Sequence, residues 1–426
     1  MKIVGRYEKA RILNTHSGIL SPPIIFDTKK DLFLPYDKDA WADFLPSVRD
    51  TFFCGSTQFN FLMAMPLILN FYSPGSASQN NTALNSAYTA GSAGACIGYL
   101  FWQSTNSNIT DIYFFISSFT GTAANVNDIN IEIRSYSAAN NKPDTSGGGL
   151  LGSTVYDPTS TTGWNRVTGL NVAVTQDNRF FVVIADADGA ASPCANVNQV
   201  TSFTSQMQTN TLAHTFGCLS STSGFSSITY STGSNIPSCV VVHADGLVQG
   251  NSITSSSNHT SNTVQRGLYV ADIPFSCKVF SMYHNATSVF AWSGKVFDGT
   301  TAPGGTEIAA SAGTLTLEGV TSYGCLFKRP FPTIHANNSY RLVMKPASNS
   351  TNPVRHVIGT GVDSNLKKAR PGYGSWYQTD ENGGSWTDTD SEIPAMGIVV
   401  EDITSETSVA IDVNNQRNFP RIPLGY

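Results

Sequence analysis

Charge is what this chain has least of. Lys, Arg, Asp and Glu make up 13 % of its 426 residues, against about a quarter in an average soluble domain. The basic residues form no cluster interleaved with aromatics and the formal net charge is −5, so no nucleic-acid-binding face is expected. Those of the opening stretch MKIVGRYEKARI suit a solvated or subunit-facing strand. C-x-x-C pairs are also missing. The seven cysteines stand singly, odd in number and irregularly spaced, which argues against a zinc site and against a full disulfide framework. They read as small buried apolar residues. The longest apolar run, FNFLMAMPLILNFY (59–72), is broken by Pro66 and falls short of the roughly 20 residues a membrane helix needs. No membrane insertion is expected. The N-terminus lacks the apolar stretch of about 7–15 residues that marks a secretory signal. Catalytic motifs are absent too. The seven histidines form no H-E-x-x-H, and there is neither a G-x-S-x-G elbow nor a P-loop. The expectation is a non-enzymatic chain without a cofactor.

What fills the space is Ser, Thr, Asn and Gly, the last at 36 residues. Half-buried strands joined by tight turns use such residues, so the fold class is all-β. The chain also repeats itself. SNIPSCVVVHADG (234–246) returns as SEIPAMGIVVEDI (391–403), with Ile236 and Ile393 separated by 157. NRFFVVIA (178–185) matches NSYRLVMK (338–345) at a shift of 160, and Arg134 in RSYSAANNKPDTSGGG matches Lys295 in KVFDGTTAPGG at 161. Gly98 in IGYLFWQ matches Gly267 in RGLYVAD at 169. Matches in one order with a drifting shift indicate a tandem duplication with loop insertions. INIEIRSY alternates, placing Ile129, Ile131 and Ile133 on one face and Glu132 and Arg134 on the other. FFVVIA is apolar throughout, as a central strand covered on both faces would be. About eight strands per copy of roughly 150 residues suggest two tandem jelly-roll-like β-sandwiches. The expected divisions are an irregular docking segment (1–75), two sandwiches (76–246 and 247–404) and a C-terminal arm (405–426).

Three sets of residues are candidates for a role. Phe61, Leu62, Leu67, Ile68 and Phe71 lie in the apolar run and are assigned to docking, because exposing them would create a patch larger than monomers usually show. Asp186 and Asp188 in ADADG carry the oxygen ligands that calcium takes, although a strand end turning through Asp-Gly is the simpler reading. In GYGSWYQTDENGGSWTDTD (372–390), a turn centred on Asn382-Gly383 would pair Thr379 with Trp386 and Tyr377 with Asp388. Tyr377 and Trp386 would then be diagonal neighbours beside Asp388, a set able to stack on and hydrogen-bond a sugar. The competing reading buries this face in the core, since Ile228 of the first copy falls near Trp386.

The repeated pattern TGWNRVTGL…NRFFVVIADADG…SNIPSCVVVHADG with GSWTDTDSEIPAMGIVV resembles tailed-bacteriophage virion proteins that carry tandem jelly-roll modules, of tail-fibre or head-decoration type. The resemblance covers roughly residues 80–403 and is architectural. It implies a structural, non-enzymatic virion subunit, made in the host cytoplasm and released in the particle. Its partners would be other virion proteins, further copies of itself and host-surface glycans. A carbohydrate- or receptor-binding module is the alternative, and a secreted polysaccharide-active enzyme is a third reading that the missing signal and catalytic groups disfavour.

Overall fold

The computed structural model describes most of residues 78–404, together with the short strands Ile25–Asp27, Leu32–Leu34 and β1 (Leu67–Leu69). The described residues are built almost wholly of antiparallel strands, so the all-β class holds. In the first half these are β2 (Ser78–Ala83), β3 (Cys96–Trp102), β4 (Ile109–Thr120), β5 (Ile129–Ser137), β6 (Leu150–Tyr156), β7 (Gly163–Val167), β8 (Arg179–Asp186), β9 (Cys194–Thr201), β10 (Cys218–Ser221), β11 (Thr229–Tyr230), β12 (Ile236–Pro237), β13 (Cys239–His243) and β14 (Val248–Gly250). One sheet runs β11-β10-β3-β8-β5-β6. The other runs β12-β9-β4-β13-β14, with β7 beside β4 and β2 beside β9.

Strand alternation explains why two layers form. Ile129, Ile131 and Ile133 of β5, with Phe180, Val182 and Ile184 of β8, point inward onto Ile112, Phe114, Ile116 and Val241 of the facing sheet. Each such side chain stabilises the fold by about 1.5–3 kcal/mol when fully buried. Phe181, Val183 and Ala185 of the same β8 strand point outward, yet they too are buried. Phe225, with Tyr88 and Tyr136 packed alongside, covers that outer face. Glu132 and Arg134 lie on the outer side as read, joined to each other and closed from solvent.

The second half repeats this plan. Its strands are β15 (Ser255–Asn258), β16 (Gln265–Val270), β17 (Ser276–Asn285), β18 (Trp292–Asp298), β19 (Glu307–Ala310), β20 (Ser322–Leu326), β21 (Tyr340–Pro346), β22 (Val354–Val357), β23 (Tyr377–Asn382), β24 (Ser385–Thr389), β25 (Glu392–Pro394) and β26 (Met396–Thr404). The sheet β24-β23-β16-β21-β18-β19 has the same order as β11-β10-β3-β8-β5-β6. Gly98 faces Val183, and Gly267 faces Val343. Ile236 faces Val200, and Ile393 faces His356. Even an irregularity is shared: the pairing of β4 with β13 skips Thr110, and that of β17 with β26 skips Phe280. One sequence match needs adjusting. Lys295 faces Val343 as Glu132 faces Val183, so the partner of Lys295 is Glu132, two residues before Arg134. Both positions share a face, which is why side-chain pattern could not separate them.

The copies differ at one seam. In the first, β9 pairs with β4 and joins β2 and β12 to the larger sheet. In the second, the equivalent trio β15-β22-β25 stands as its own sheet, tied to β17 by the single bridge of Ala286 and Pro353.

The two sandwiches touch. After β22 the chain lays Val362, Leu366 and Ala369 on Tyr113, Val240, Val242 and Val248 of the first sandwich, beside Trp164. The Trp164 indole donates to the Ile358 carbonyl at 3.0 Å, and the Tyr113 hydroxyl donates to Asp363 at 2.6 Å. Burial and that carboxylate push the Tyr113 phenol up to about 12, so it remains a donor. Asn251, Ser252 and Thr254 of the connecting segment are buried, and the Thr254 amide donates to the Val357 carbonyl.

Leu67 and Ile68 form part of β1, which pairs with β26; Phe61, Leu62 and Phe71 lie outside the described residues, as does the arm at 405–426. The five described cysteines whose burial is defined are buried and form no disulfide with one another.

The shared glycine separates the copies energetically. A Cβ on Gly98 would press on the rings of Phe225 and Phe181, which can shift, whereas one on Gly267 would run into the backbone at Leu342 and Val343. Gly267→Ala is therefore expected to cost about 2–3 kcal/mol and Gly98→Ala under about 1 kcal/mol, as read by urea denaturation of each variant.

Candidate functional site

The outer face of the second sandwich carries the residues singled out by sequence. Phe297, Arg341, Tyr269 and Tyr377 stand opposite one another in a single row across β18, β21, β16 and β23. Arg341 occupies the place that Phe181 holds in the first copy, since each stands directly across from the strand that carries the shared glycine. In the first copy Phe181 packs with Val183, Ala185 and Phe225 and has the buried Arg134–Glu132 pair beside it, whereas in the second a guanidinium takes the central place itself. Tyr269 and Tyr377 stack with centroids 4.7 Å apart and planes 10° apart. The Arg341 guanidinium lies 5.0 Å from the Tyr269 ring centroid and 5.1 Å from that of Trp386, distances suited to cation–π attraction. It also donates to Asp388 at 2.9 Å and to the Thr379 hydroxyl at 3.2 Å, while Thr379 donates to the other Asp388 oxygen at 2.6 Å. Asp388 stays exposed; Arg341 is 2 % exposed.

The hairpin differs from its expected register. Asn382 faces Ser385, Glu381 faces Trp386 and Thr379 faces Asp388. The sequence between Asn382 and Ser385 is Gly-Gly, where the expected register put Asn382-Gly383. A Gly-Gly pair meets the positive-φ demand of a two-residue hairpin as well as Asn-Gly does, so the sequence admits either register. The slip keeps side chains on their faces but moves Trp386 two places away from Tyr377. The expected diagonal pair is not formed.

Trp386 instead reaches Phe297, ring centroids 5.3 Å apart and edge-on at 70°. These residues sit on strands four places apart, about 19 Å in a flat sheet. The sheet must therefore curl, bringing the hairpin over its own outer face. Trp386 is half-buried there, and its indole N–H is shut from solvent without an acceptor among the described residues. It is a roof over Arg341 and Phe297, comparable to Phe225 over Gly98, and not part of the inter-sheet core. Arg341 and Phe297 were missed by sequence reasoning, although aligning NRFFVVIA with NSYRLVMK already set Arg341 against Phe181.

A second polar group lies at the end of the second core. Arg266 forms an ion pair with Asp380 at 3.3 Å, and Arg355 pairs with Glu392 at 2.8 Å. His259 is 4 % exposed nearby. Desolvation first, then the positive charge of Arg266, Arg355 and His284, pushes His259 down to about 2. Desolvation raises Asp380 and Glu392, against the lowering effect of those arginines. In the first copy Ile97 stands in the place of Arg266 and Phe114 in that of His284, and both are wholly buried apolar residues.

Asp186 ends β8 and is buried, and Asp188 lies outside the described residues. Among the described residues no group of three or more His, Cys, Asp or Glu side chains is placed to hold a metal ion.

Comparison with known proteins identifies no relative. No family model matches the chain, and no curated protein matches it. Among solved structures, the lectin from Pleurotus ostreatus in complex with GalNAc shows 9 % identity over 77 % of this chain and 85 % of its own, with a TM-score of 0.14. The C-terminal domain of the Streptococcus pyogenes antigen I/II-family protein AspA shows 9 % identity over 75 % and 98 %, with a TM-score of 0.12. Likenesses of that size say nothing about ligand or ancestry.

Two outcomes follow. Trp386→Ala uncovers Arg341 and Phe297 without opening the inter-sheet core, so the expected loss is about 1–2 kcal/mol, below the 3–5 kcal/mol of a fully buried aromatic; chemical denaturation measures it. The second concerns pH. An unfolded His259 binds a proton below about 6.5, whereas the folded one stays neutral, so stability falls as pH drops below that value. The raised Asp380 and Glu392 take up protons in the folded state and offset the loss once pH reaches the carboxylate range. Unfolding free energy should fall by about 1 kcal/mol between pH 7 and 5.5 through His259, and His259→Gln should remove that part of the slope.

Proposed function

We propose that the protein is a non-enzymatic structural component of a bacteriophage particle, of the tail, a fibre or a capsid decoration, that projects two β-sandwiches from its surface. The observation that carries this reading is the locked junction between the copies. A buried linker, the Trp164 and Tyr113 hydrogen bonds and the apolar seat for Leu366 and Ala369 join two repeats without a free hinge. Such stiffness suits a projecting rod better than a pair of tethered modules, whose interfaces are usually small and polar. The virus assignment itself rests on the sequence resemblance and on a surface-like composition. Partners in this reading are other virion proteins and further copies of the chain.

A second reading, carbohydrate binding, has one specific observation in its favour. The first sandwich closes its outer face with Phe225, Tyr88 and Tyr136 and keeps the Glu132–Arg134 pair shut from solvent, while the second presents Tyr377, Trp386 and the exposed Asp388 around a buried arginine. Aromatic rings beside fixed hydrogen-bonding groups are what a sugar requires. The two readings are compatible, since a projecting subunit can also touch a host glycan.

Electron cryo-microscopy of purified particles, with an antibody to this chain, tests the first reading: density of two stacked sandwiches on the particle is expected, and absence of the chain from washed particles would end it. For the second, glycan-array binding by the full chain should fall at least about tenfold with Asp388→Asn, which keeps the side-chain size but weakens the charge-assisted bonds. Equal binding by both forms places any glycan contact elsewhere.

A further inference from the structure

In the first sandwich β13 turns back on itself. Gly246 takes a φ of +83°, its amide donates to the His243 carbonyl, and the Asp245 carboxylate accepts from the Leu247 amide. The returning strand β14 then covers the outer edge of β13, with Val242 facing Val248 and Val241 facing Gln249. Counting from the shared skipped residue, His243 corresponds to Val400, and Gly246 therefore to Ile403. Isoleucine is β-branched and does not take up positive φ without strain. The turn is lost, and β26 runs on through a shift of register to Thr404, which faces Ser276.

Among the described residues no strand turns back from β26 onto its outer edge, and an uncovered edge is a row of unpaired amides and carbonyls. The place is taken from the far end of the chain. Ile68 faces Val399 and Leu69 faces Ile398, the positions that Val248 and Gln249 hold against Val242 and Val241. Both strands are antiparallel to the edge they cover.

We propose that the outer edge of β26 is a strand-acceptor site for an extended apolar peptide, and that the chain's own Leu67–Leu69 is its resident occupant. Leu67–Leu69 is thus an edge strand of the second sandwich. No hairpin ties the occupant to the edge, so its pairing depends on strand addition alone. An edge emptied of this strand takes the same sequence from solution.

The test uses the full chain. Ile68→Pro removes a backbone donor and disfavours the strand, whereas Ile68→Ala keeps the donor. Hydrogen exchange over 396–404 should quicken at least about tenfold in the Pro variant and change by less than about twofold in the Ala variant. Exchange over 239–243, whose edge is covered by β14, should not change in either. A labelled peptide of residues 64–72 should bind the Pro variant saturably and restore slow exchange over 396–404, while the natural chain, already occupied, should not bind it at the same concentration. Unchanged exchange in the Pro variant, loss of protection through both sandwiches, or peptide binding that is equal or absent in the two chains would each overturn the proposal.

Discussion

Covering the central strand on both faces is the constraint from which the rest of the molecule follows. In the first sandwich β8 sends Phe180, Val182 and Ile184 to the core and Phe181, Val183 and Ala185 to the opposite side. The inner row is satisfied by the facing sheet; the outer row still needs a lid. Phe225 supplies it, and Gly98 leaves room for that ring, because any side chain there would meet Phe225 and Phe181. In the second sandwich the matching strand β21 keeps the inner row, through Leu342 and Met344, but replaces the outer Phe181 by Arg341. The lid must then satisfy a charge as well as cover an area. Trp386, Asp388 and Thr379 meet that demand with ring contact and hydrogen bonds together. One change of residue type on a shared plan puts a guanidinium where the first copy has an aromatic ring.

The two copies have diverged most where an element must find its own partner. At the end of the core, Ile97 and Phe114 are exchanged for Arg266 and His284, and Arg355, Asp380 and Glu392 gather round them. Buried charges are tolerated only when paired. At the outer edge, exchanging Gly246 for Ile403 removes a turn and leaves a strand's worth of backbone to be satisfied by β1. Between the copies, the stretch after β22 is used as a strap on the first sandwich, seated on Tyr113 and Trp164.

Much of the architecture was legible in the residues. The duplication, the face assignment of Ile129, Ile131 and Ile133, the two-sided burial of β8 and the pairing of Ile236 with Ile393 all follow from side-chain period and turn chemistry, which are local properties. Two registers were not legible. The match of Arg134 with Lys295 was two residues out, and the hairpin pairs Asn382 with Ser385 and Thr379 with Asp388. In both cases the error is an even slip that preserves every face, so hydrophobic pattern carried no information against it.

Sequence alone determined that the chain is all-β, that it is written twice, and which side chains of each strand share a face, because alternation and turn residues act over a few positions. Tertiary structure decided what those faces meet. Trp386 could be core or surface until the curl of its sheet laid it across Arg341 and Phe297. Leu67 and Ile68 read only as an apolar stretch until β1 was seen to pair with the outer edge of β26. Such partners lie from tens to hundreds of residues apart, and only the backbone hydrogen bonds and packing of the folded chain select them.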